Sequence, residues 1–123
     1  EIFGVNAHIR DVAARLAAAG HEVLAPSICD PVERGVELEY DGAGIARGRE
    51  LVAAIGFDRT VDIVACAAAH LGHPHRDVAV IGFCWGGSIA LLANTRLALP
   101  AVSYYGGRSL PFLDEPLRAP MLM

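Results

Sequence analysis

Val78-Ala79-Val80-Ile81-Gly82-Phe83-Cys84-Trp85-Gly86-Gly87-Ser88-Ile89-Ala90-Leu91 is the stretch whose reading decides the fold. Residues 77 to 83 form a short apolar, β-branched run of the kind that fits a strand buried on both faces. From Gly86 onward, small and aliphatic residues read as a helix. Strand and helix meet at Cys84, and the spacing Gly82-x-Cys84-x-Gly86 has the form of a nucleophile elbow. In such an elbow a sharp turn lifts one side chain above the sheet edge, and glycines on either side relieve the crowding around it.

The lifted group here is a thiol. A following helix directs its free N–H groups and the positive end of its dipole at the sulfur, which favours thiolate. The N–H of Trp85, next after the nucleophile, faces the place where an oxyanion would develop. A plainer reading makes Cys84 a small buried residue at a strand end, with glycines that only let the helix pack closely. The strand before it and the helix after it favour the elbow.

Outward from the elbow, Asn6 can cap a helix over residues 7 to 19, with Val12, Ala13 and Leu16 on one face and Gly20 as its stop. His21 to Ala25 reads as a strand closed by Pro26, and Glu1 would then lie at the C-terminal end of a strand preceding it, where open α/β sheets place ligands. Residues 27 to 46 mix glycine, proline and acidic positions and read as a long surface loop. Arg47 and Arg49 precede a helix expected from about Glu50 to Leu71, with a break near Gly56. Pro100 to Tyr105 is a further strand ending in Tyr104-Tyr105-Gly106-Gly107, Leu110 to Pro120 a loop, and Met121 the start of the next strand. His70, His73 and His75 invite a metal reading, but no Cys, Asp or further His completes a spaced ligand set, so none is assigned.

At this point the chain resembles the dienelactone hydrolase family, a cysteine-bearing branch of the α/β-hydrolase fold. The likeness is carried by Glu1-Ile2-Phe3-Gly4-Val5-Asn6, Ala25-Pro26, Gly82-Phe83-Cys84-Trp85-Gly86-Gly87 and Ser103-Tyr104-Tyr105-Gly106, in matching order and spacing. It implies a three-layer sandwich around a mostly parallel sheet, seen here without its first and last strands, so that 1–123 is one partial domain. By the same resemblance Cys84 is the nucleophile and Glu1 the carboxylate that takes a hydrogen bond from the resting thiol. The N–H groups of Trp85 and Ile2 hold the oxyanion, Arg47 binds a substrate carboxylate, and Tyr104 or Tyr105 lines the pocket. The family's aspartate and histidine fall beyond Met123, which leaves this stretch without a base and, taken alone, inactive. The strand missing before Glu1 would also open a gap in the sheet, so 1–123 is expected not to fold stably by itself.

The implied reaction is the opening of an enol-lactone, as in aromatic degradation, through a Cys84 acyl-enzyme with no metal or cofactor. Alternatives on the same sequence are a hydrolase of other carboxylic esters or thioesters, and a binding protein that has lost the triad. Composition agrees with a globular interior, at 54% hydrophobic and 20% charged residues, and a net charge of −4 offers no basic patch for nucleic acid or anionic membrane. No apolar run approaches the roughly 20 residues of a membrane span. The three cysteines, Cys29, Cys66 and Cys84, are odd in number and widely spaced. That argues against a disulfide framework and for the reducing cytoplasm. The expected partner is a small lactone or ester; the sequence leaves the oligomeric state open, with a monomer sufficient.

Overall fold

A computed structural model describes residues 1–123. In chain order the elements are α1 (Ala7–Ala18), α2 (Gly42–Ile55), α3 (Phe57–His70), β1 (Val80–Phe83), α4 (Trp85–Leu97), β2 (Ala101–Tyr104), a 3-10 turn (Leu110–Phe112) and β3 (Met121–Leu122). They fall into two compact units, one formed by Glu1 with Phe57–Met123 and the other by Ile2–Gly56.

The first unit is built on a parallel sheet of order β1-β2-β3, in which Val80 pairs with Ala101 and Ala101 with Met121. β1 is shorter than the 77–83 run that its apolar residues suggest. Its ladder starts where Val80 N–H donates to the Pro100 carbonyl, 2.9 Å, and proline has no N–H with which to extend pairing further back. α4 packs on β1 and β2 and also contacts α3. Ten of its thirteen residues are buried, with Ala90, Leu92 and Ala93 fully inaccessible. A helix apolar on every side is one enclosed on every side, as its small and aliphatic composition implies. α3 turns the stripe Thr60, Val61, Val64 and Ala68 inward. On the sheet face that carries Ile81 and Tyr104, side chains stay about half exposed, at 41% and 49%.

One polar group lies deep in this unit. The Asn94 side chain is completely buried. Its amide nitrogen donates to the carbonyls of Leu99, Ala119 and Pro120 at 3.1, 2.9 and 3.3 Å, and its oxygen accepts from Arg118 N–H at 3.1 Å. A buried amide with every partner supplied by backbone stabilises the loops it joins.

In the second unit Asn6 caps α1 as expected, its side-chain oxygen accepting from Ile9 N–H at 3.2 Å. Gly20 turns the chain away at φ +95°. Val12, Ala13 and Leu16 share the half-buried face. The reading of His21 to Ala25 as a strand is corrected: these residues join no sheet, because the only pairing in this unit is an antiparallel bridge of Gly4 with Glu37. A short run around Val23 and Leu24 makes no strand without a ladder partner.

The loop expected over 27 to 46 also ends early, since α2 begins at Gly42, where the Asp41 side chain accepts from Gly44 N–H at 2.7 Å. Arg47 and Arg49 are therefore inside a helix rather than ahead of it. Glycine opposes helix on propensity, but here it is needed for packing. A Cβ at Gly44 would lie 2.0 Å from the Glu39 carbonyl oxygen, and one at Gly48 2.5 Å from that of Ile2. The break anticipated near Gly56 separates α2 from α3, with Gly56 at φ +74°.

Candidate active site

The turn between β1 and α4 is the strained one that the motif requires. Cys84 sits at φ +56°, ψ −120°, a region that side chains other than glycine rarely occupy and that persists only where the surroundings enforce it. Enforcement comes from both sides. Cys84 N–H donates to the Tyr104 carbonyl at 3.0 Å, and Gly87 N–H donates to the Cys84 carbonyl at 2.9 Å. The glycines leave no room for anything larger: a Cβ at Gly82 would lie 1.8 Å from the Gly86 carbonyl oxygen, and one at Gly87 2.7 Å from that of Tyr104. The thiol is half-buried and free of any disulfide.

Trp85 is the first residue of α4, so its N–H has no acceptor within the helix. Its ring is buried against Phe57, centroids 5.7 Å apart. Glu1 belongs to the same unit, and a Cβ on Gly86 would come within 3.1 Å of the Glu1 nitrogen. The Glu1 carboxylate accepts a hydrogen bond from the Tyr105 phenol at 3.3 Å. Partial burial, the Glu1 carboxylate and Cys84 together push the Tyr105 phenol above its ordinary pKa.

The two tyrosines, which the sequence leaves equivalent, are thereby distinguished. Tyr104 stacks on Phe83, centroids 5.0 Å apart and rings within 9° of parallel. Tyr105, one residue on at φ +43°, goes to Glu1. Of the residues singled out in the sequence, then, Glu1, Cys84, Trp85, Tyr104 and Tyr105 lie in one unit.

Ile2 and Arg47 lie in the other. Ile2 is buried. The Arg47 guanidinium is engaged by two carboxylates, Glu33 and, at 2.8 Å, Glu50, and their hydrogen bonds raise its pKa. Nothing in the spacing of the sequence marks Glu33 as its partner. Cys29 is buried with Val36 and Leu51, and desolvation pushes its thiol up. It is a packing residue.

A group of hydroxyls went unnoticed in the sequence. Ser88 and Ser109 are buried with their oxygens 3.2 Å apart, Ser88 also accepts from Arg108 N–H at 3.1 Å, and Ser103 is buried nearby. A Cβ at Gly106 would lie 2.8 Å from the Ser103 oxygen and 2.9 Å from that of Ser109. Together they fasten the turn that carries Tyr105 to the first turns of α4. The available signal was Ser88, a lone hydroxyl in the buried run Gly87 to Ala93.

The model of the dienelactone hydrolase family matches residues 1–121. A carboxymethylenebutenolidase of Rhodococcus opacus is 34% identical over 128 residues, covering 98% of this chain and 47% of that protein. A Synechocystis protein provisionally named carboxymethylenebutenolidase is 36% identical over 115 residues, covering 90% of this chain and 47% of its own length. A crystal structure from Klebsiella pneumoniae, provisionally titled a dienelactone hydrolase, superposes with a TM-score of 0.72 at 33% identity, over 98% of this chain and 55% of that one. The chain thus spans about half the length of the relatives it matches. The parallel sheet and its elbow are those of the α/β-hydrolase fold, and since the family match runs from Glu1 to Met121 through both, the chain belongs to the dienelactone hydrolase family.

Proposed function

We propose that the protein bearing these residues is a carboxylic ester hydrolase that opens an enol-lactone of the dienelactone type through a Cys84 acyl-enzyme. The observation that carries this reading is the enforced, left-handed backbone of Cys84 between glycines that tolerate no side chain. Thiolate sulfur attacks the lactone carbonyl, and the N–H groups of Trp85 and Ile2 are assigned to the oxyanion. The ring C–O bond then breaks to an enolate that stays tethered in the acyl thioester and takes a proton to become a ketone, so that the keto acid is formed only when the thioester is hydrolysed. Water adds to the thioester, the C–S bond breaks, and the thiolate is released with the carboxylic acid. A thiolate is itself a good leaving group, so the scheme suits esters whose leaving group is a stabilised enolate. The base and its orienting acid are assigned to the family's histidine and aspartate, beyond Met123.

Arg47 is assigned to a substrate carboxylate, for which the guanidinium fork is the fitting shape. It would have to exchange Glu33 or Glu50 for the substrate. A reducing, cytoplasmic setting is supported by three free cysteines, and no helix is long and apolar enough to cross a membrane.

The test is turnover of a dienelactone by the full-length chain. Cys84→Ala is expected to lower kcat/KM by about a thousandfold or more, and a variant that keeps its rate would refute the acyl-enzyme. Across a panel of esters with and without a free carboxylate, Arg47→Ala is expected to cost about tenfold or more for the carboxylate-bearing members alone.

A further inference from the structure

We propose that Glu33 sets how strongly the protein prefers carboxylate-bearing substrates, by occupying the Arg47 guanidinium in the free protein as an internal stand-in for the substrate's own carboxylate. The proposal rests on the reading of Arg47 as the carboxylate anchor and adds the group that competes for it.

Three observations support it. The first is that both ends of the fork are taken, and by different side chains: one terminal nitrogen of Arg47 donates to Glu33 and the other to Glu50 at 2.8 Å. Each of these carboxylates gives a single oxygen to a single nitrogen, short of the two parallel bonds that one carboxylate can make across a guanidinium. The second is how Glu33 is brought there. The turn that carries it is closed by the Val32 and Glu33 N–H groups, which donate to the Cys29 carbonyl at 2.9 and 2.8 Å, and by Gly35 N–H, which donates to the Asp30 carboxylate at 3.3 Å. Cys29 and Val36, on either side of this turn, are buried with Leu51 of α2, about one helical turn beyond Arg47. The turn is thereby seated on the helix that presents the guanidinium. The third is exposure. The side chains of Arg47 and Glu33 remain 45% and 48% accessible, so a solute can reach the pair, and an ion pair open to water is weak enough to be displaced.

The two carboxylates are not equivalent. Glu50 lies three residues after Arg47 in α2, on the same stretch of helix, and steadies one end of the fork. Glu33 comes from a separate turn 14 residues earlier and is the partner whose place a substrate takes. A substrate carboxylate has to remove Glu33 as it binds, a cost that bears equally on the ground and transition states. Removing the competitor therefore strengthens binding without touching the chemical step. A substrate with no carboxylate leaves the pair intact and feels nothing.

The test is steady-state kinetics of the full chain on a dienelactone bearing a free carboxylate and on its methyl ester. Glu33→Gln keeps the size of the side chain and is expected to lower KM for the carboxylate form about two- to fivefold with kcat unchanged, and to leave KM for the methyl ester where it was. Loss of a merely structural contact would not tighten binding. In an Arg47→Ala background the same substitution is expected to change KM by less than about 1.5-fold. An unchanged or raised KM for the carboxylate form, an equal fall for the methyl ester, or a fall that survives Arg47→Ala overturns the proposal. If Arg47→Ala costs the carboxylate form no more than the methyl ester, the assignment of Arg47 fails and this proposal with it. If Arg47→Ala has its full effect and Glu33→Gln has none, this proposal alone fails.

Discussion

α4 and α1 are nearly equal in length, at thirteen and twelve residues, yet ten residues of α4 are buried and none of α1 is. α4 carries the sheet, the elbow and the fastening of the Tyr105 turn, and side chains on all sides are committed to packing. α1 is held by its ends: the Asn6 cap, the turn at Gly20, and an exposed pair from Arg10 to Glu37 at 2.6 Å. The difference shows where each helix keeps its specificity. In α4 it lies in shape, where a misplaced methyl group is costly; in α1 it lies in local hydrogen bonds, each worth little alone.

Four measurements of stability in the full chain would sharpen or break that contrast. The largest effect is expected from Gly82→Ala, whose Cβ would overlap the Gly86 carbonyl oxygen at 1.8 Å. Backbone cannot rotate away as a side chain can, so a loss of about 3 kcal/mol or more is expected in urea titration. Leu92→Ala empties a site with no accessible surface and is expected to cost roughly 2–5 kcal/mol. In the second unit Asn6→Ala should cost only about 1 kcal/mol, the ordinary worth of a helix cap. If Asn6→Ala proved as damaging as Leu92→Ala, the proposed division between shape and local bonding would fail.

The smallest effect concerns pH. Arg96 and the Thr95 hydroxyl hold the Glu115 carboxyl below its usual range. A carboxyl depressed in the folded state adds stability above its unfolded pKa, and that stability is lost as pH falls through the folded value. Glu115→Gln should therefore flatten the acid limb of a thermal melting profile while leaving its shape unchanged above neutrality. An unchanged acid limb would remove Glu115 from the account.

The first unit was the more legible of the two for the same physical reason. Around Cys84 the pattern is local: a β-branched run, a glycine bracket and a helix of small residues lie within fifteen positions of one another, and each implies the next. The Asn6 cap and the Gly56 break are local signals of the same kind. The start of α2 at Gly42 was not legible, because glycines that argue against helix on propensity are there for close approach to Glu39 and Ile2. His21 to Ala25 failed because strand residues speak of a partner without naming one. In the site, the candidates Cys84 and Trp85 are read from the glycine spacing together with the strand before it and the helix after it, and Glu1 from the family likeness. The choice between Tyr104 and Tyr105, and the capture of Arg47 by Glu33, depend on contacts between distant positions that spacing cannot encode.

Asn94 has a consequence for how the molecule tolerates change. Its single amide grips the chain on both sides of one long excursion: Leu99 just before β2, and Arg118 to Pro120 just before β3. Between them come β2 and the fastened turn at Tyr105; only the stretch that follows, through the 3-10 turn to Leu117, runs out as a bight, and Asn94 ties its return. Closing a longer loop costs only about 0.6 kcal/mol per doubling, and with that return held, extra residues placed at the exposed tip around Leu113 would not be felt at β3. A fold fastened in this way can vary the outline of its surface in that bight while the strand that follows it keeps its register.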